Sequence, residues 1–358
     1  MKKRFFYIPL VVGMIFCVQT LFTPAVAAKK PVEVVIMTTP FGSSMYNIGV
    51  AFEQVFKKAN SWVHIKHQET AGAMYMYRYA AKNRDKMKRG EVSHTIVVGG
   101  LSAVPHLQEG RWPFDKIPWP TTKTLVSTPA LVGFYVTYDP QIKTLDDFVG
   151  KRVCTQERAR VFLGLFLDKP LFDKGYGIYD KIKWAPLGDV GCKDAFLNGK
   201  VDVMTLIFGG IATLDENGKF IIPFIAPSPS ALEVMSSGRK LYTISFDPEV
   251  FLKSYDFSKD ISTHTALIKK GATRGIDHDI IGRAGFGLIH CDESLPDDIV
   301  EEIVRVRHEY RDEFGKYHAV MKLLPMTPYP IGSPKKYVHS GVVKAMKKLG
   351  YPIPKEQE

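Results

Sequence analysis

The stretch "VEVVIMTTPFGSSMYNIGVAF", Val32 to Phe52, decides the fold prediction. Its first half is rich in β-branched residues and predicts a strand, and apolar residues at helical spacing follow the Pro-Phe-Gly turn. The same order then recurs in "VHIKHQET" (63–70), "AMYMYRYAAKNRDKMK" (73–88) and "HTIVVGG" (94–100). Strands that alternate with helices in this way predict a parallel sheet covered by helices.

A second alternating set follows a connector rich in Pro and Trp, "LQEGRWPFDKIPWPTTK" (107–123). A long irregular region interrupts this set, and a clear amphipathic helix lies within 294–314. Strands are predicted at "ALVGFYVTYD", "KRV", "KIKWAPLG", "VDVMTLIFGG" and "RAGFGLIHC".

We therefore predict an α/β protein of two lobes, each a mostly parallel sheet flanked by helices, with a ligand cleft between the lobes. Residues 28–137 together with 280–358 are expected to form lobe 1. Residues 138–279 are expected to form lobe 2. In open α/β sheets, ligands bind at the carboxyl ends of the strands, so the loops there are the candidate site.

The chain begins like a secreted protein. Lys2, Lys3 and Arg4 precede an almost uncharged run from Phe5 to Phe22, and Ala25-Val26-Ala27 provides a small-residue cleavage site. This pattern predicts a signal peptide over 1–27. The alternative is an uncleaved membrane anchor, since the apolar run is barely long enough to span a bilayer.

Charge argues against nucleic acid as a partner. The formal net charge is +11, and cleavage would remove three of the 48 Lys and Arg but none of the 37 Asp and Glu, leaving +8. The basic residues are scattered and flanked by acids, whereas a nucleic-acid surface concentrates them. A mild attraction for small anions follows from the residual charge.

Three cysteines remain after the predicted cleavage, namely Cys154, Cys192 and Cys291. An odd number allows at most one internal disulfide. Cys154 and Cys192 each lie where a strand gives way to a loop or helix, so they could meet. Three buried thiols are the alternative.

Catalytic motifs do not emerge from the sequence. His64 and His67 would point to opposite faces of a strand, and the neighbouring side chains of His290-Cys291-Asp292 would also diverge. Cys154 would need a base that the sequence does not identify. We expect no catalytic residues, no metal site and no cofactor, which favours binding over chemistry.

Several segments resemble a known family. "TLDDFVGKRV" (144–153) and "LNGKVDVM" (197–204) resemble motifs of the second lobe of type II solute-binding proteins. Three others resemble segments of the TAXI class, the receptors of tripartite ATP-independent periplasmic (TRAP) transporters. They are "GSSMYNIGVAF" (42–52), "ETAGAMYM" (69–76) and "VHSGVVKAMKKLGY" (338–351).

The resemblance implies a monomeric periplasmic receptor that binds a small solute, expected to be an organic anion, and delivers it to a membrane-embedded TRAP permease. An ABC importer or a sensor kinase served by the same fold is an alternative, and a secreted enzyme is a more distant one. Direct membrane insertion after cleavage is not expected. The candidate ligand-binding residues are Ser43, Ser44, Tyr46, Thr70, Gly72, Ala73, Tyr75, Thr155, Arg158, Arg160 and Gly209.

The chain departs from that family where "CTQERAR" (154–160) replaces a glycine-rich loop. Guanidinium groups bind carboxylates bidentately, so Arg158 and Arg160 are candidates to replace backbone amides as anion ligands. An ion pair with Glu157 or another acid is the alternative for them. Helix capping is the alternative for the two serines, and core packing for the two tyrosines.

Overall fold

A computed structural model describes residues 29–100, 102–156, 164–214, 220–256 and 264–353. From Pro31 onward the described chain forms one compact unit. None of the described helices is both long and apolar enough to cross a membrane.

The described strands are joined by hydrogen bonds into one sheet, with β5 and β6 attached through β7. The main path runs β2-β1-β3-β11-β10-β8-β7-β4-β9. The strands are β1 Val32–Thr38, β2 Val63–Glu69, β3 His94–Gly100, β4 Thr122–Thr137, β5 Arg152–Thr155, β6 Lys183–Pro186, β7 Val203–Leu214, β8 Phe220–Pro227, β9 Tyr242–Ile244, β10 His264–Ile268 and β11 Ile280–Asp292.

The sheet contains two groups of parallel strands, and two long antiparallel strands lie between these groups. At one end β1 pairs in parallel with β2 and β3, and at the other β5 pairs in parallel with β6 and β7. The long strands β4 and β11 pair with each other antiparallel, and they connect the two groups because β11 also pairs with β3 and β4 with β7. This arrangement confirms the predicted α/β class, whereas the predicted lobe boundaries stay a prediction.

Helices cover the sheet. Short 3-10 turns lie at Leu145–Phe148, Tyr179–Lys181, Ala319–Leu323 and Lys335–Tyr337, and a π turn lies at Leu171–Gly175. The helices are α1 Ser44–Lys58, α2 Ala73–Lys88, α3 Ala103–Glu109, α4 Leu165–Pro170, α5 Gly188–Leu197, α6 Pro229–Met235, α7 Pro248–Ser254, α8 Asp297–Glu309, α9 Arg311–Phe314 and α10 Ser340–Lys348.

The region expected to be irregular contains regular elements. Strands β8, β9 and β10 and helices α6 and α7 lie there. The sequence obscured them because β8 carries two prolines, which rarely occur inside strands, and β9 has only three residues. The connector expectation was also too broad, since α3 ends and β4 begins inside 107–123.

Cys154 and Cys192 form a disulfide, which settles the alternatives for these two residues. The bond joins the end of β5 to α5. Cys291 is a buried free thiol in β11. Burial raises the pKa of this thiol well above its ordinary value, so the thiol stays protonated.

Candidate functional site

The loops that follow β1 and β2 meet at the carboxyl edge of the sheet. Because β1 and β2 are parallel and Thr38 is aligned with Glu69, the loops that follow them lie side by side. The backbone N–H of Phe41 donates to Oε1 of Glu69 at 2.8 Å, and the Thr70 hydroxyl donates to the Thr38 carbonyl at 2.7 Å. The hydroxyl of Thr70, a predicted ligand-binding residue, is therefore engaged in fixing these loops.

The start of α1 presents two serines in different states. Ser43 is the N-cap, whose Oγ accepts from Tyr46 N at 3.1 Å and donates to the Pro40 carbonyl at 2.8 Å. Ser44 begins the helix, its side chain is 2% exposed, and its Oγ has no hydrogen-bond partner among the described residues. Capping accounts for Ser43, while the hydroxyl of Ser44 remains available for a ligand.

The start of α2 lies beside that of α1. Gly72 is its N-cap and provides no side-chain hydrogen bond, and Ala73 is buried as the first helical residue. Tyr75 is 48% exposed and stacks on Tyr79 with ring centroids 6.4 Å apart. The first-turn N–H groups of α2 thus lack a side-chain cap, and the exposed ring of Tyr75 stands close to them.

Tyr46, in the first turn of α1, packs against the loop that precedes the helix. Its ring meets Phe41 edge-on at 5.3 Å and His67 at 4.8 Å between centroids. His67 Nε2 lies 2.7 Å from Oγ1 of Thr38, and burial lowers the pKa of His67. The neutral imidazole of His67 therefore packs against the ring of Tyr46.

The opposite wall of the candidate site comes from α5 and α6. A Cβ added at Gly42, whose φ is +86°, would lie 2.8 Å from Cγ2 of Val190 and 3.6 Å from Oγ of Ser230. The loop before α1 therefore contacts the first turns of both helices. Glycine is needed here both for the left-handed backbone and for this close approach.

The end of β5 and the start of α5 are fixed together. Gln156 is buried, and its Nε2 donates to Oδ1 of Asp189 at 2.8 Å, while its Oε1 has no partner among the described residues. The Cys154–Cys192 disulfide lies next to this bond. Asp189 places one carboxylate at the N-terminus of α5, beside Val190.

Behind this wall lies a buried ionic network around Asp168 of α4. Thr155 Oγ1 donates to Asp168 Oδ2 at 2.5 Å, and Tyr135 Oη and Arg283 Nη1 both donate to Oδ1 at 2.7 Å. Burial alone would lower the pKa of Arg283, but the Asp168 carboxylate raises it above its ordinary value. The Thr155 hydroxyl, predicted to bind ligand, is thus bonded to Asp168.

The remaining predicted residues divide into two cases. Gly209 lies inside β7 and not after it, and a Cβ there would collide with the side chain of Val320. The absence of a side chain at Gly209 therefore makes room for Val320. Arg158 and Arg160 lie outside the described residues.

Helix dipoles give the candidate site its electrostatic character. A helix N-terminus carries a partial positive charge that favours anions. Neither α1 nor α2 has an acidic residue in its first turn, whereas α5 has Asp189. The α1–α2 side is therefore suited to a negative group, and the α5 side holds a carboxylate that could meet a positive one.

Sequence reasoning missed Gly42, Gln156, Asp189, Val190 and Ser230. A signal for two of them was visible, since "PLGDV" (186–190) is a strand end followed by a helix start. No pattern in the sequence predicted the contact of α6 with the loop before α1. No group of three or more His, Cys, Asp or Glu residues in the described ranges is placed to hold a metal ion.

Comparison with protein-family models and with curated proteins finds no match. Solved structures do match over nearly the whole chain. Rpa4515 from R. palustris with adipate gives a TM-score of 0.50 at 11% identity, covering 90% of this chain and 98% of that chain.

Two further solved structures are similar. MatC from Rhodopseudomonas palustris with bound malate gives a TM-score of 0.48 at 13% identity, covering 90% of this chain and 96% of that chain. A TctC solute-binding protein from Polaromonas, without ligand, gives 0.39 at 14% identity, covering 90% and 89%. At this level of identity the comparison with Rpa4515 shows a shared α/β fold.

Proposed function

We propose that this protein is a periplasmic receptor that binds a small organic anion, most readily a carboxylate, and delivers it to a TRAP-type permease. One observation carries the proposal: the N-terminus of α1 meets the first turns of α5 and α6, and the buried Ser44 hydroxyl there has no hydrogen-bond partner in the part of the chain that the structure describes. A buried hydroxyl without a partner costs free energy that a bound solute would recover.

The proposed binding mode follows from the elements around the cleft. The first-turn N–H groups of α1 and α2 and the Ser44 hydroxyl would hold the carboxylate. Arg158 and Arg160 are proposed as further ligands of the carboxylate, and Tyr75 is proposed to cover the apolar part of the solute. Closure of the two lobes around the solute would give the permease a distinct form to recognise.

A second candidate solute is an amino acid. Asp189 is 7% exposed and lies beside Val190, which contacts the loop before α1. A solute with both a carboxylate and an ammonium group could pair the former with α1 and the latter with Asp189. Delivery to an ABC importer or to a sensor kinase is the alternative for the partner, and an adjacent gene for a large permease without an ATPase would favour TRAP transport.

A thermal-shift screen of the mature protein, freed of co-purified solute, tests the proposal. The panel contains mono- and dicarboxylates, aromatic acids, amino acids and neutral sugars. A solute at a hundred times its Kd stabilises the folded state by about 2.7 kcal/mol, which raises the Tm by a few degrees. We expect carboxylates to give this shift and neutral sugars to give none.

Matched variants assign the site. Arg158→Gln/Arg160→Gln should reduce the carboxylate shift, whereas Arg89→Gln/Arg274→Gln changes the net charge equally at exposed positions away from the candidate site and should leave the shift intact. Shifts for neutral sugars alone would contradict the anion assignment. Consumption of the hit compound by the protein would instead favour an enzyme.

A further inference from the structure

A surface cavity of about 900 Å³ lies beside α10 and is also lined by the end of α2 and the start of β4. Five lysines from four elements line it, and we call the cavity the lysine basin. They are Lys88, Lys123, Lys335, Lys344 and Lys347. The other lining residues are Glu293, Ser294, Val338, His339, Ser340 and Val343.

The lysine basin is distinct from the candidate solute site. His290 of β11 is aligned with Val97 of β3 and with Thr124 of β4, so Lys123 at the start of β4 lies near the amino end of β3. Helix α2 begins at the carboxyl edge of the sheet and ends with Lys88, close to the same amino end. The basin therefore opens at the edge opposite to the candidate solute site.

Few of the charges in the lysine basin are neutralised. Lys344 pairs with Asp297, and Lys123 donates to the Lys336 carbonyl at 2.9 Å and lies 3.9 Å from Glu293. The other three lysines are exposed and have no hydrogen-bond or ion-pair partner among the described residues. They are Lys88, Lys335 and Lys347.

The excess of positive charge is a tertiary feature. The five lysines come from α2, β4, the 3-10 turn at Lys335–Tyr337 and α10, and Glu293 is the only acid in the lining. Like charges gathered in a concave surface repel one another and attract counter-ions into it. A bound polyvalent anion would relieve that repulsion.

We propose that the lysine basin binds a phosphate-bearing anion. The lining contains no arginine, whose planar fork suits bidentate carboxylate recognition. Apart from His339, its basic residues are lysines, which bind phosphate as compact point charges. Several separated ammonium groups match a ligand with more than one charge. The phosphate can belong to a free polyphosphate compound or to a phospholipid headgroup.

The test uses two probes that represent these two sources. Tripolyphosphate is titrated calorimetrically, and vesicles of phosphatidylglycerol are tested by co-sedimentation against vesicles of phosphatidylcholine. The basin variant is Lys88→Gln/Lys335→Gln/Lys347→Gln. The control is Lys66→Gln/Lys143→Gln/Lys200→Gln, which removes the same charge from exposed lysines elsewhere.

We expect at least one probe to bind the full mature chain, and the basin variant to bind it at least tenfold more weakly. The control should lose less than twofold, and the probe that binds identifies the source. The proposal is overturned if neither probe binds more tightly to the wild type than to the basin variant, or if the control loses as much. Since carboxylate binding at the candidate solute site should persist in the basin variant, the two proposals fail independently.

Discussion

Arg283 in the long strand β11 donates a 2.7 Å hydrogen bond to Asp168 in α4, and both side chains are fully buried. These residues are 115 positions apart in the chain. The bond links β11, which pairs with β3 and β4, to α4, whose Asp168 also accepts a hydrogen bond from Thr155 at the end of β5. It therefore joins the backbone around the candidate site to the centre of the sheet.

We predict that Arg283→Met destabilises the protein by about 3 to 5 kcal/mol, because it leaves the buried Asp168 carboxylate without its counter-ion. Urea unfolding measures the change. Arg152→Met is the matched control, since the exposed Arg152–Asp202 pair should contribute less than about 1 kcal/mol. Equal losses in the two variants would contradict the role assigned to the buried pair.

The disulfide should contribute strongly to stability. Cys154 and Cys192 are 38 positions apart, and closing a loop of that length stabilises by about 3 to 4 kcal/mol on the chain-entropy model. Cys154→Ala/Cys192→Ala should lower the free energy of unfolding by that amount and abolish the effect of reductant on the Tm. Cys291→Ala should keep the reductant effect. A wild-type Tm that reductant leaves unchanged would sink this prediction.

His290 should make the protein sensitive to acid. Burial lowers the pKa of His290 to about 3, whereas the unfolded chain has about 6.5. As the pH falls below 6.5, His290 becomes protonated in the unfolded state but stays neutral in the folded state. The free energy of unfolding therefore decreases. Between pH 7 and pH 5 the loss should be about 2 kcal/mol.

The variant His290→Leu should flatten this acid limb by that amount in denaturant unfolding at several pH values. His64→Gln, at an exposed position of β2, is the control and should leave the slope unchanged. A slope that is the same in all three proteins would show that His290 does not titrate on unfolding.

The close pairing of β4 and β11 should not tolerate a side chain at Gly287. A Cβ there would overlap the carbonyl oxygen of Pro129, and the register of the two strands is irregular between Gly285 and Gly287. Because backbone is the obstacle, Gly287→Ala should cost about 3 kcal/mol. A Cβ at Gly282 would lie 2.6 Å from Cδ1 of Ile268 and 3.1 Å from the Gly133 carbonyl oxygen. Because a side-chain end is the nearest obstacle there, Gly282→Ala should cost at least 1 kcal/mol less. Thermal unfolding compares the two.

Local patterns in the sequence predicted the first half of the sheet well. The quoted strand, turn and helix correspond to β1 and α1, and the helix expected within 294–314 corresponds to α8 and α9. Period-two and period-3.6 patterns are local, so one segment suffices to read them. Ser43 as a cap was likewise visible because capping involves residues close in the chain.

The sequence did not predict which residues far apart in the chain contact each other. Nothing local shows that Gly42 meets Val190, that Arg283 meets Asp168, or that four elements gather lysines in one cavity. The bonding of Thr155 to Asp168 was hidden for the same reason. A residue type at a strand's end predicts a candidate, but its partners decide whether the side chain is free to bind.

Calorimetric titration of the strongest carboxylate from the screen into Ser44→Ala tests the central claim most directly. If the Ser44 hydroxyl binds the carboxylate, the loss of a charge-assisted hydrogen bond should weaken binding by about tenfold or more. Ser93→Ala, near the amino end of β3, should bind like the wild type. Unchanged affinity in Ser44→Ala would contradict a carboxylate held at the N-terminus of α1.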